Sequence, residues 1–158
     1  MTVVDYVQRR ILVVSHGGVC RAPMAAGVLS HLLRESGRGD AIHVAAIAIS
    51  DVHVGRPPDP LAVEVASARG YDIRDFRVRQ IKSRDFYATA TLATDVLILN
   101  SLRNIAPHGW GDHPRLLARY AGLGVDNIVD PYGGTRGDYE MALNLLEASC
   151  RGLAAALP

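Results

Sequence analysis

Residues 11–23 read Ile11-Leu12-Val13-Val14-Ser15-His16-Gly17-Gly18-Val19-Cys20-Arg21-Ala22-Pro23. The apolar run through Val14 has no polar alternation, as expected of a parallel strand buried on both faces. A short glycine-bearing loop follows, and Pro23 opens a helical pattern. A strand that feeds a tight loop at a helix N-terminus gathers backbone N–H groups, and the helix dipole adds partial positive charge there. Arg21 closes the loop with a planar fork suited to two oxygens of a phosphate. The stretch therefore predicts an anion site built from His16, Gly17, Gly18, Val19, Cys20 and Arg21, with Ser15 at its base.

Outward from this loop, strands and helices alternate. Residues 11–15 read as a strand, 23–36 as a helix with Met24, Val28, Leu29, Leu32 and Leu33 on one face, and His43–Ile49 as a second strand. Pro57-Pro58 marks Ser50–Pro60 as a loop. A helix over Pro60–Ala68 stops at Gly70, and Arg74–Arg84 is basic and irregular. Asp95–Asn100, with Val-Leu-Ile-Leu at its centre, reads as the third strand. A short helical patch, a weaker strand near Leu116–Tyr120 and a loop over Asp126–Gly137 come next. The last helix spans Asp138–Leu157, with Ala142, Leu145, Leu146, Ser149 and Leu153 on one face. This order predicts an α/β fold, three-layer α/β/α around a four-stranded parallel sheet, with residues 1–158 as a single domain.

Composition narrows the function classes. Hydrophobic residues make up 49% and charged residues 21% of the 158, ordinary values for a globular domain. A net charge of +1 supplies no field to draw nucleic acid or a membrane surface. All basic residues except Lys82 are arginine, a bias that reads as genome composition rather than as a basic interface. Cys20 and Cys150 lie far apart, with neither zinc spacing nor a secreted disulfide pattern. His108 and His113 carry no metal signature, so no metal is expected. The first ten residues lack the long apolar core of a signal peptide, and no segment is apolar enough to span a bilayer. The expected setting is cytoplasmic.

Four further stretches carry a resemblance over nearly the whole chain. They are His53-Val54-Gly55-Arg56-Pro57-Pro58-Asp59-Pro60, Gly70-Tyr71-Asp72 with Arg77-Val78-Arg79-Gln80, Asp130-Pro131-Tyr132-Gly133-Gly134, and Cys150-Arg151-Gly152-Leu153. Together with the loop, in order and at the right spacing, they resemble the low-molecular-weight protein tyrosine phosphatases. That family's loop is Cys-x5-Arg directly after its first strand. The resemblance implies a flavodoxin-like topology and a cofactor-free reaction. In that reaction a loop thiolate attacks phosphorus, the arginine and loop amides hold the equatorial oxygens, and the Asp-Pro aspartate protonates the leaving group. By resemblance Arg21 and Asp130 fill the last two roles, and Val52 and Tyr132 wall the pocket. Ser15 stands at the nucleophile position.

Serine is far less acidic than a thiol, and the sequence offers it no general base. The resemblance also implies four side chains that support the loop. Their positions carry Gly18, Ala22, Ala46 and Phe76, none of which can make the implied hydrogen bonds. The aromatic slot wall is replaced by Val52, and the aspartate ending the third strand by Asn100. Joint loss of the supporting partners reads as natural divergence rather than a single substitution. The expected function is binding of phosphate, or of a phosphorylated small molecule or protein, without cysteine-phosphatase activity. Gly18 stays compatible with the loop because the left-handed backbone expected there suits glycine. Two alternatives stand beside this reading. One is a redirected enzyme that acts on a small phosphorylated metabolite with Asp130 or His16 as acid or base. The other is an active tyrosine phosphatase carried as its Cys→Ser trapping variant. Thiol-dependent arsenate reduction is excluded, because Cys20 and Cys150 are too few to shuttle a disulfide. With Tyr132 followed by Gly133, the tyrosine pair that covers the site mouth in family dimers is incomplete, and the expected state is a monomer or weak homodimer.

Overall fold

The computed structural model describes residues 9–158. The readings that rest on residues 1–8, a domain starting at residue 1 and the absence of a signal core, lie outside the described residues. Four strands, β1 (Arg9–Ser15), β2 (Ile42–Ala48), β3 (Ala90–Ala93) and β4 (Arg115–Leu116), form one parallel sheet in the order β2-β1-β3-β4. Helices α1 (Arg21–Glu35), α2 (Pro60–Ala68) and α4 (Arg136–Ala156) pack together on one face, and α3 (Val96–Ile105) covers the other.

β1 shows why its sequence carries no polar alternation. Ile11 and Val13 belong to the core under α1 and α4, while Leu12 and Val14 belong to the core under α3. All four are fully buried, so each pleat position needs an apolar side chain. α1 buries Met24, Val28, Leu29 and Leu33, leaving Leu32 partly covered, which is the face expected from its spacing. α4 starts with a reciprocal cap: the Asp138 N–H donates to Thr135 Oγ1, and the Thr135 N–H donates to the Asp138 carboxylate.

The segment Asp95–Asn100 is a helix start and not a strand. Val96–Ile105 is α3, and the third strand is the shorter Ala90–Ala93 just before it. A run of four apolar residues does not by itself separate a buried strand from a buried helix turn. The deciding residue is Asp95, whose side chain accepts the Ile98 N–H at 2.7 Å and caps the helix. The pattern Ile98, Leu99, Leu102 then buries one helical face, whereas Leu97 is exposed. The weaker strand expected over Leu116–Tyr120 is also corrected. Pairing is confined to Arg115–Leu116, and Leu117–Ala121 forms a 3₁₀ turn ending at left-handed Gly122. The basic Arg74–Arg84 stretch is irregular, as expected, and leads into a 3₁₀ turn at Ser83–Tyr87.

Candidate anion site at the end of the first strand

β1 delivers Ser15 to the C-terminal edge of the sheet, and α1 begins six residues later at Arg21. The loop between them is held from outside by its carbonyls. Ser15, His16 and Val19 carbonyl oxygens accept the N–H groups of Ile49, Ser50 and Asp59 at 3.0, 2.9 and 2.9 Å. The loop amides of Gly17, Gly18, Val19 and Cys20 find no acceptor among the described residues, which leaves them as donors for a ligand. Gly18 adopts φ +76°, the left-handed conformation expected for it. A Cβ there would lie 2.9 Å from that of Ala48 and 3.2 Å from Val78 Cγ1, so apolar packing fills this side of the loop.

Arg21 is buried, and its guanidinium is set by two acceptors on one nitrogen. Nη1 donates to Asp95 Oδ2 and to the Ile128 carbonyl, both at 2.7 Å. Nη2 lies 3.8 Å from Asp130 Oδ2, and Nε has no partner. Ser15 Oγ is likewise buried without a partner. The two atoms belong to residues that line a small cavity of about 110 Å³, together with the loop, Val52, His53, Asp130 and Tyr132. A buried donor without a partner costs about 1–3 kcal/mol, and an anion in this cavity would remove that cost. Among the described residues no group of three His, Cys, Asp or Glu side chains is placed to hold a metal ion.

Every site residue expected from the sequence lies on this cavity. They do not lie at equal depth: His16 is exposed, Val52 and Tyr132 form an exposed rim, and Asp130 is about half exposed. Cys20 is buried beneath the loop, with Sγ 3.4 Å from the Tyr139 hydroxyl. Burial pushes its thiol up to about 12, against the opposing hydrogen bond from Tyr139. Tyr139 is itself raised, by burial first and by the Cys20 bond second.

Two residues of the site were missed in the sequence. Asp95, not Asn100, is the carboxylate leaving the third strand, and it joins the α3 cap to Arg21 through its two oxygens. The Asp-before-apolar-run signal of a helix cap was available to find it. His53 stands over Gly17 and lies 6.0 Å from the Tyr132 ring, centre to centre, with its Nδ1 buried and unpartnered. It was legible only as part of the second-loop pattern.

Comparison with known proteins converges on the same frame. Residues 10–158 match the model of the low molecular weight phosphotyrosine protein phosphatase family. A Streptomyces coelicolor low molecular weight protein-tyrosine-phosphatase is 32% identical over 154 residues, covering 94% of this chain and 93% of that protein. Low molecular weight protein-tyrosine phosphatase A of Mycobacterium bovis is 30% identical over 140 residues, 87% and 84% of the two chains. Among solved structures, YfkJ from Bacillus subtilis superposes with a TM-score of 0.87 at 26% identity, over 94% and 93% of the chains. Vibrio vulnificus Wzb, solved in complex with benzylphosphonate, gives 0.81 at 27% identity over 94% and 99%. On sequence and fold together, this chain belongs to the low molecular weight phosphotyrosine protein phosphatase family.

Proposed function

We propose that this protein binds a phosphate monoester in the Ser15–Arg21 loop and does not hydrolyse it by the family's cysteine chemistry. The observation that carries the reading is that Ser15 and Arg21, each with a buried unpartnered polar atom (Oγ and Nε), line one 110 Å³ cavity. That volume suits a phosphoryl group, and the free loop amides supply further donors. The structure of Wzb with benzylphosphonate supports phosphonate-type ligands as the relevant chemistry.

The missing element is a nucleophile. Ser15 Oγ has no hydrogen-bonded base to take its proton. Cys20 is the only thiol in the loop, and a thiol at about 12 is ionised in roughly one molecule in ten thousand at pH 8. Its sulfur is also buried, 3.4 Å from the Tyr139 hydroxyl. Gly18 carries no side chain, and Ala48 and Val78 stand where one would extend, so this side of the loop offers no polar support for a thiolate.

The test is calorimetric titration with inorganic phosphate and phenyl phosphate, run beside aryl-phosphate hydrolysis by the protein and by Ser15→Cys. We expect saturable binding, no turnover above background, and less than about a tenfold gain from the cysteine, because pKa tuning rather than sulfur alone supplies the nucleophile. A gain of many orders of magnitude would overturn the reading and identify Ser15 as an isolated lesion in an intact phosphatase site. Absence of any phosphate binding would overturn it from the other side.

A further inference from the structure

The anion loop is held at both ends, and the support of its second half runs through a buried side chain that does not line the cavity. The first half is fixed by the Ile49 and Ser50 N–H groups on the Ser15 and His16 carbonyls. In the second half, the Val19 carbonyl accepts the Asp59 N–H at 2.9 Å. Asp59 in turn opens α2, its Oδ1 accepting the Leu61 N–H at 3.0 Å. Cys20 occupies the cap position of α1, yet its side chain makes no capping hydrogen bond. The thiol lies instead 3.4 Å from the hydroxyl of Tyr139, on the first turn of α4. Tyr139 is 1% exposed, which shuts this contact off from bulk water. Asp59 faces the same hydroxyl and, after burial and Cys20, helps to keep its proton in place. Loop, α2 and α4 therefore meet at one buried oxygen.

Resting on the phosphate reading above, we propose that Tyr139 is a positioning residue of the anion site. Its hydroxyl, through Cys20, holds the end of the loop and the start of α1 in the shape that presents the loop amides and Arg21 to one phosphoryl group. Tyr139 is not among the residues that line the cavity, so it acts on a ligand only through the loop. The physical reason lies in the loop sequence. A turn that contains Gly17 and Gly18 has many accessible backbone states, and converging N–H groups require one of them. Each contact that fixes this state beforehand removes part of the ordering cost from binding. Arg21 follows Cys20 directly and is the first residue of α1, so an anchored Cys20 also steadies the guanidinium between Asp95 and the Ile128 carbonyl.

The experiment is calorimetric titration with inorganic phosphate of the protein, Tyr139→Phe, Cys20→Ala, their double variant and Tyr71→Phe, with denaturant unfolding of each alongside. Tyr139→Phe keeps the ring in the core and removes only the oxygen. It weakens phosphate binding about two- to tenfold, the range of one net hydrogen bond. Cys20→Ala weakens binding to a similar extent, and the double variant loses no more than the worse single one, because both cut the same link. Tyr71→Phe removes a different hydroxyl, bonded to Glu147 at 2.8 Å and away from the loop, and leaves phosphate affinity unchanged. A merely structural Tyr139 gives lower stability with unchanged affinity in Tyr139→Phe, and that result overturns the proposal. Additive losses in the double variant, or equal weakening by Tyr71→Phe, overturn it as well. If the parent protein binds no phosphate, the phosphate reading itself falls and the positioning role falls with it.

Discussion

The buried charge clusters around Asp85 and around Arg21 differ in what they leave open. Asp85 is fully buried and saturated. Its Oδ1 accepts from Arg10 at 3.1 Å and Arg79 at 2.9 Å, and its Oδ2 from Arg79 at 2.8 Å and the Lys82 N–H at 2.7 Å. Burial alone would raise this carboxyl, but the Arg79, Lys82 and Arg10 hydrogen bonds outweigh it and hold the group below its ordinary value. Arg21 is buried to a similar degree, yet one of its nitrogens has no partner and another meets a carboxylate only at 3.8 Å. A saturated cluster fixes the chain; an unsaturated one on a residue that lines a cavity has bonding capacity left for a ligand.

The largest effect that would sharpen this contrast is on stability. Asp85→Asn leaves Arg79 and Arg10 facing a neutral group, and breaking a buried pair in this way costs about 3–5 kcal/mol. Denaturant titration should show that loss, while the folded fraction still binds phosphate with unchanged affinity. The pH dependence carries the same signature. The Asp85 carboxyl is depressed in the folded state. Its contribution is therefore full above the unfolded carboxylate value of about 3.9 and is lost as pH falls through the folded value. Stability of the parent protein should fall on acidification below about pH 4, and Asp85→Asn should remove part of that slope. An unchanged slope would break the assignment of Asp85 as the anchor.

The next effect is on affinity. Arg21→Lys keeps the charge and discards the fork, and with it both the Asp95 contact geometry and the Nε donor. Losing charge-assisted hydrogen bonds of this kind costs about 1.5–3 kcal/mol, roughly 10- to 150-fold in phosphate affinity. Stability should change by less than in Asp85→Asn, since a lysine still faces Asp95. Equal phosphate binding by Arg21→Lys would show that the loop amides alone make the site.

The two clusters were not equally legible in the sequence. The strand–loop–helix pattern of residues 11–23 was enough to place Ser15, the loop and Arg21 on one cavity, because local order dictates that geometry. The alternation of elements was likewise enough for the parallel sheet. Asp95 was misplaced because four apolar residues were read as a strand; its role depends on packing against α1, 74 residues earlier. Asp85 was invisible for a similar reason. Its partners Arg79 and Lys82 are local, but Arg10 reaches it from the start of β1, and no local pattern announces a fully buried carboxylate. A second cavity, behind the Asp130 loop, arises where that loop meets α4, which a linear reading does not measure.

The smallest effect separates a binding protein from a redirected enzyme. Asp130 is 48% exposed, and its carboxylate lies 3.8 Å from Arg21 at the mouth of the cavity. For a bound phosphate it is a like charge at close range. Solvent screening at this exposure limits the repulsion to about 0.5–1 kcal/mol. Asp130→Asn should therefore tighten phosphate binding by roughly two- to fivefold, and raised salt should shrink the gain. A general acid or base gives the opposite sign in a different observable: losing it lowers turnover by about 100- to 10,000-fold. Measuring affinity and hydrolysis on the same variant thus assigns Asp130. Tighter binding with no turnover to lose marks a gatepost of the anion site, whereas any substrate whose conversion collapses in Asp130→Asn marks a working acid.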